Sequence, residues 1–244
     1  MKIAFGSDFH FEFYRDIETQ KYIIDSWKFR EGTDLIIIAG DLHVGANKVL
    51  VTLDYIREVH GIRVLYVQGN HDYYGSSFKK QNEIFRKNGF DDILLKGYTD
   101  INGIRFFGCM GNIDGSWEEI TLWKHGGLND FHMISDFNSD HEVYGRREYK
   151  MLDKELRAWK GKSVVITHTM PSPMCISDKY KGSHLNPCFA NDWEKLIMDH
   201  KPEVWICGHT HDSFDKWIDE TDVMANPFGY PHENKDWEWR YIDV

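Results

Sequence analysis

The 244-residue sequence is poor in cysteine, in positive charge and in long apolar runs. Its four cysteines, Cys109, Cys175, Cys188 and Cys207, are widely spaced and form no CxxC pair. That is too few for a disulfide framework in a chain this long and argues against a thiolate zinc knot, so reduced thiols in a cytosol are expected. No stretch stays apolar and uncharged long enough to span a bilayer, and the opening MKIAFGSDFH turns polar after a short apolar run. Neither a membrane anchor nor a signal peptide is expected. Lys and Arg number 29 against 39 Asp and Glu, a formal net charge of -10. Non-specific binding to duplex nucleic acid needs cations against backbone phosphates, and this balance disfavours it. Bound divalent cations would escape that count, so a local anion site stays open. Repeats, low-complexity tracts, linkers and heptads are absent. One domain over residues 1–244 is expected, with the oligomeric state open.

What is present points to a globular α/β chain. Hydrophobic residues make up 41% and aromatics 15%, spread along the whole length, which argues against disorder. Short apolar runs at Ile3 to Gly6, Leu35 to Gly40, Val64 to Gly69, Val164 to Thr167 and Val204 to Gly208 read as buried strands. Helical spacing at Ile17 to Phe29 and Lys48 to Val59 makes the first three successive βαβ crossovers. Ile101 to Met110 and the tail from Val223 to Val244 read as exposed or antiparallel strands, so the sheet system is expected to be mixed. Gly111 to Asp140 and Met170 to Pro187 are candidate long functional loops.

Each of the five buried-strand candidates ends in side chains that bind metals or move protons: Asp8-Phe9-His10, Gly40-Asp41-Leu42-His43, Gly69-Asn70-His71-Asp72, Thr167-His168 and Gly208-His209-Thr210-His211. Ligands of open α/β sheets bind outside the carboxyl ends of the strands, so groups distant in sequence can share one pocket. Imidazole, carboxylate and amide oxygen together suit Zn, Mn, Fe or similar ions. A carboxylate can bridge two ions about 3.5 to 4 Å apart, as in two-metal hydrolases, and Asp41 is the bridging candidate.

The ordered blocks DxH, GD, GNHD, a lone His and GHxH resemble the calcineurin-like metallophosphoesterase family over nearly the whole chain. The resemblance implies a four-layer αββα sandwich of two mixed sheets flanked by helices. It also implies that Asp8, His10 and His211 hold one metal, that Asn70, His168 and His209 hold the other, and that Asp41 bridges them. His71 would lie beside the substrate phosphate and stabilise the transition state or protonate the leaving oxygen. A hydroxide formed from water between the ions would attack phosphorus in line with the departing alkoxide. The blocks THTMPSP, HLNPCFANDWEKLI, PEVWICGHTHDSFD and NPFGYPHE look like a bacterial and phage subgroup of that family. Relatives there commonly carry a second His after the position of His168 and an Arg in the NPxGY block, where this chain has Thr169 and Phe228.

The implied function is hydrolysis of phosphomonoesters or phosphodiesters, small or nucleotide-like substrates being favoured. The alternatives are a catalytically silent interaction scaffold on the same fold and a nuclease acting on single strands. Asp72 has two readings, holding His71 in one tautomer or capping a helix that begins near Ser76. His43 either approaches the pocket or orients a ligand. Trp117, Trp123, Tyr180 and Phe228 are read as packing in preference to stacking on a nucleobase. Lys179 and Lys181 would meet a second phosphate or simply be solvated, while Lys79-Lys80 and Arg146-Arg147 read as helix surface.

Overall fold

Strands buried on both faces must be apolar at every position, and that is how the chain's short Val, Ile and Phe runs are used. The computed structural model describes residues 1–88, 92–113, 122–125 and 127–244. One sheet orders its strands β10-β1-β2-β3, from β1 (Lys2–Gly6), β2 (Leu35–Ala39), β3 (Arg63–Val67) and β10 (Arg240–Asp243). The second is six-stranded in the order β4-β5-β6-β7-β9-β8, from β4 (Lys96–Ile101), β5 (Ile104–Cys109), β6 (Ser163–Ile166), β7 (Val204–Cys207), β8 (Phe214–Ile218) and β9 (Thr221–Ala225). Strands β1, β2 and β3 run parallel, as do β5, β6, β7 and β9. Strands β10, β4 and β8 pair antiparallel at the edges. Both sheets are therefore mixed, as the sequence led one to expect.

Alternation along each strand builds the layers. Ile3, Phe5, Ile37 and Val67 face Phe106, Val164, Ile166 and Ile206 in a core between the sheets. The opposite side of the first sheet, through Ala4, Ile36, Ile38 and Val64, packs against α1 (Ile17–Ser26) and α2 (Ala46–His60). The opposite side of the second, through Phe107, Val165, Trp205 and Val223, packs against helices Phe137–Ala158 and Glu194–His200. The result is the αββα sandwich. Helix α1 opens at Asp16, whose Oδ1 accepts the Thr19 N–H at 2.7 Å.

Three local expectations change. Within Ile101 to Met110, β5 pairs antiparallel with β4, as expected, but it is not exposed: it is buried inside the sheet, because its aromatic residues serve both the inter-sheet core and the outer helix layer. The tail is a strand only at its two ends, β9 and β10. Of the candidate loop Gly111 to Asp140, residues 114–121, with Trp117 among them, and Gly126 lie outside the described residues. The described part holds a short helix, Asp130–Met133, and the start of the long helix Phe137–Ala158. Among the described residues no helix is long and apolar enough to cross a membrane.

Phe106 is fully buried between the sheets, so Phe106→Ala is expected to lower the unfolding free energy by about 3–5 kcal/mol. Trp217→Ala, at a position 65% exposed, should change it by no more than about 0.5 kcal/mol. Urea unfolding measures both, and comparable losses would contradict this layering.

Candidate metal centre

The carboxyl ends of β1, β2 and β3 in one sheet and of β6 and β7 in the other open onto a single site. Asp8 and His10 follow β1, Asp41 follows β2, Asn70 and His71 follow β3, His168 follows β6, and His209 and His211 follow β7. Their donor atoms fall into three groupings, Asp8–His10–His211, His10–Asp41–His71 and Asp41–His168–His209, each within 4.8 Å. Asp41 Oδ2 lies 3.3 Å from His168 Nε2 and 3.8 Å from His10 Nε2, between the two halves. Its Oδ1 accepts the His71 N–H at 2.9 Å. Asp8 Oδ1 is 3.6 Å from His211 Nε2, and the Asp8 carboxylate also accepts the His209 N–H.

The backbone is bent to make this possible. Five of the seven candidate ligands have positive φ: Asp8 at 56°, His10 at 46°, Asp41 at 54°, His209 at 66° and His211 at 51°. Such conformations each cost on the order of 1 kcal/mol or more and persist only where the surroundings over-determine them. The glycines of the GNH and GHTH blocks permit close approach. A Cβ on Gly69 would stand 1.9 Å from Asp41 Oδ1, and one on Gly208 would stand 2.7 Å from Asp8 Oδ2.

Hydrogen bonds at the far side of each ring decide what the rings present. His168 Nδ1 donates to the Ala39 carbonyl at 2.8 Å, and a carbonyl can only accept. His211 Nδ1 donates to Glu233 at 2.7 Å, and His10 Nδ1 to Glu12 at 3.1 Å. Each Nε2 is therefore the atom turned inward, where it can carry a proton or bind a cation. His10 Nε2 meets His211 Nε2 at 3.0 Å, and His168 Nε2 meets Asn70 Oδ1 at 3.1 Å. The Asn70 amide group itself donates to Asp130 and to Tyr74 Oη, which leaves its oxygen facing the site. At these distances a proton or a metal ion must stand between each pair, so the inward positions suit a cation. The set of imidazole, carboxylate and amide oxygen, without thiolate, fits divalent or transition metal ions.

The charges agree with that reading. Burial alone would raise the Asp41 carboxyl, but the rings of His168, His71 and His10 outweigh it and hold the group well below the ordinary carboxylate value. Burial would lower His168, yet Asp41 raises it to about 10, so without a metal ion the ring holds a proton aimed at Asp41, at the position a bound cation would take. His209 stays neutral, pushed well down by burial and by His168.

Glu12 and Glu233 are residues of the candidate site that the sequence reading missed. Glu12 Oε1 accepts from His10 Nδ1 and also from His71 Nδ1 at 2.8 Å. Burial would raise the Glu12 carboxyl, but these two rings lower it to about 2. The HFEF stretch carries one faint cue, a carboxylate two residues after a candidate ligand. Neither role considered for Asp72 falls to it. Its carboxylate accepts from Tyr66 Oη and Gly69 N–H, inside the sheet and turned from the His71 ring. Burial and Asp41 raise it well above the usual range, which favours a protonated, structural group. Glu12 orients His71 instead, and Asp136 caps the helix Phe78–Asn88 through the Phe78 and Lys79 N–H groups. His43 turns into its own loop, accepting from Val44 N–H at 2.7 Å, and burial and Lys48 lower it to about 4.

Of the aromatic candidates, Trp123 is fully buried and Phe228 stacks on Phe9 at 5.5 Å, both packing residues. Tyr180 lines the cavity beside the centre. Lys179 and Lys181 pair with Asp212 and Asp178, each at 2.7 Å.

The chain belongs to the calcineurin-like phosphoesterase family, whose sequence model matches residues 1–213. The fold is similar to that of phosphopantetheinyl hydrolase from Mycobacterium tuberculosis, with a TM-score of 0.76 at 14% identity over 99% of this chain and 95% of that one. It is also similar to a dimetal phosphatase from Danio rerio, with a TM-score of 0.60 at 15% identity over 92% of this chain and 86% of that one. At these identities the likeness is one of fold. A comparison with curated protein sequences gave no match.

Asp41 is shared between two of the groupings, so Asp41→Asn is expected to lower the number of divalent ions retained per chain. Elemental analysis of the purified variant measures this, and unchanged retention would remove Asp41 from the shared position.

Proposed function

We propose that the protein hydrolyses phosphomonoesters or phosphodiesters, small or nucleotide-like, at a dinuclear metal centre. The single observation that carries this is the inward convergence of Nε2 atoms whose opposite ring nitrogens are already bonded. In this reading Asp8, His10 and His211 hold one ion, Asn70, His168 and His209 hold the other, and Asp41 is shared. Manganese, iron and zinc all suit such donors. Bound ions supply Lewis acidity and bring the pKa of water at the centre towards about 7.

The chain's own residues then position and protonate. His71 lies within reach of Asp41 and His10, with its Nδ1–H held by Glu12 and its ring stacked on Tyr74 at 4.2 Å. That leaves Nε2 as the atom that donates to a phosphoryl or leaving oxygen. Burial would lower the His71 ring, but Asp41 and Glu12 raise it above the ordinary histidine value, which favours the proton-donating form. Tyr230 packs at 4.6 Å from the His10 ring and 4.5 Å from the His211 ring, and narrows the mouth. Support for reading residues 1–244 as one catalytic domain comes from beyond residue 213: β10 completes the first sheet and Glu233 orients His211. Four buried, unbridged cysteines support a cytosolic setting.

The test is turnover by protein loaded with Mn, Zn or Mg on nitrophenyl phosphate mono- and diesters, nucleotides, single-stranded oligonucleotides and a phosphopantetheinyl ester. His71→Ala is expected to reduce kcat by about 10²- to 10⁴-fold with metal content unchanged. Glu12→Gln should reduce it by about 10- to 100-fold. Loss of metal in parallel with activity in His71→Ala would make that ring a ligand. Metal-replete protein inert on every ester would favour an interaction scaffold on the same fold.

A further inference from the structure

The cavity beside the candidate centre has a volume of about 490 Å³, in the range that holds small organic ligands. Phe189 lies against the His209 ring at 4.7 Å and 25°, and Ile176 and Leu185 add to the apolar lining, with Met170 buried at its base. The lining carboxyl groups are Asp41 at the centre, Asp130 behind Asn70, which burial raises above the ordinary carboxylate value, and Glu233 against His211.

The cationic groups among the lining residues are imidazoles alone. Lys179 and Lys181, on either side of the lining residue Tyr180, pair with Asp212 and Asp178. Among the lining residues, an anion entering the cavity is therefore neutralised at the centre itself.

We propose that this cavity selects phosphodiesters, which carry one negative charge, with a neutral apolar or aromatic ester group lying along Phe189, Met170, Ile176 and Leu185. The inference deepens the phosphoesterase reading and rests on it. A phosphomonoester carries about -1.5 to -2 at neutral pH. Its surplus charge would lose hydration in a cavity whose lining residues include no arginine fork, the group that usually accepts phosphate oxygens. Nucleoside di- and triphosphates face the same penalty more than once. An apolar ester group gains instead by leaving water for the Phe189 side.

Hydrolysis then consumes one water. Its oxygen forms the new bond to phosphorus, the bond from phosphorus to the apolar alcohol breaks, and one water proton goes to the departing alkoxide. The remaining proton leaves as the new monoester ionises. The product monoester bears the charge that the cavity disfavours, so it is released and not cleaved again.

Two non-hydrolysable anions separate the classes by calorimetry on metal-loaded protein: diphenylphosphinate, a monoanion with two rings, and phenylphosphonate. Diphenylphosphinate is expected to bind at least about tenfold more tightly. Leu185→Ala should weaken it, while Ser183→Arg, which places a cation on the exposed rim, should bring the two affinities together. In kinetics, kcat/KM for bis(4-nitrophenyl) phosphate should exceed that for 4-nitrophenyl phosphate, and Ser183→Arg should shift the ratio towards the monoester. Equal or tighter binding of phenylphosphonate would overturn the proposal, as would equal or faster turnover of the monoester. If both esters were inert, the phosphoesterase reading would fail, and the calorimetric comparison would still decide the cavity's preference.

Discussion

The structure turns on a set of carboxylate, amide and imidazole atoms brought so close that a cation, proton or metal ion, must stand between them. Asp41 sits between His168 and His10, and His10 faces His211, with the protons of three rings committed to Ala39, Glu12 and Glu233 on the far side. Nothing about such an arrangement is favourable by itself. It is held because the sandwich behind it is stable enough to bear converging polar atoms and left-handed backbone at five of the candidate ligands. A cation relieves the repulsion, so metal binding and the strain of the loops are two sides of one constraint.

The fold supplies that rigidity by placing parallel strands in both sheets with their carboxyl ends at one edge. Cross-links between the halves run through the ligands themselves. His168, from the second sheet, donates to Ala39 in the first, and the backbone of His209 donates to Asp8. Displacing one strand end would therefore misplace donors on both sides, which fits the dense aromatic packing of Phe9 against Trp27, Phe228 and Trp237 just behind the Asp8–His10 turn. Phe228 belongs to this buttress and is not among the residues that line the cavity.

The parts of the site that could be read in advance share one feature, a ligand type placed just after an apolar run. Asp8, Asp41, Asn70, His168 and His209 all satisfy it because a buried parallel strand writes an unmistakable run of Val, Ile and Leu. Glu12 and Glu233 do not. Glu12 lies in a single turn of 3-10 helix, and Glu233 in an irregular stretch between β9 and β10, so neither has a periodic neighbour to mark it. Asp72 misled for the converse reason: it is adjacent to His71 in sequence, but the turn after Asn70 sends the two side chains to opposite sides. Strand β5 pairs antiparallel with its hairpin neighbour β4, as expected, but its burial depends on the distant strand β6, which no local pattern marks.

The sequence by itself determined the strand cores, the order of the ligand blocks and the chemistry of the donors, since these depend on residue type and short spacing. Only the tertiary structure decided which carboxylate holds which imidazole, which ring nitrogen faces inward and which wall of the cavity is apolar. Those are relations between residues far apart in the chain, and they exist only once two sheets have packed face to face and brought their strand ends together.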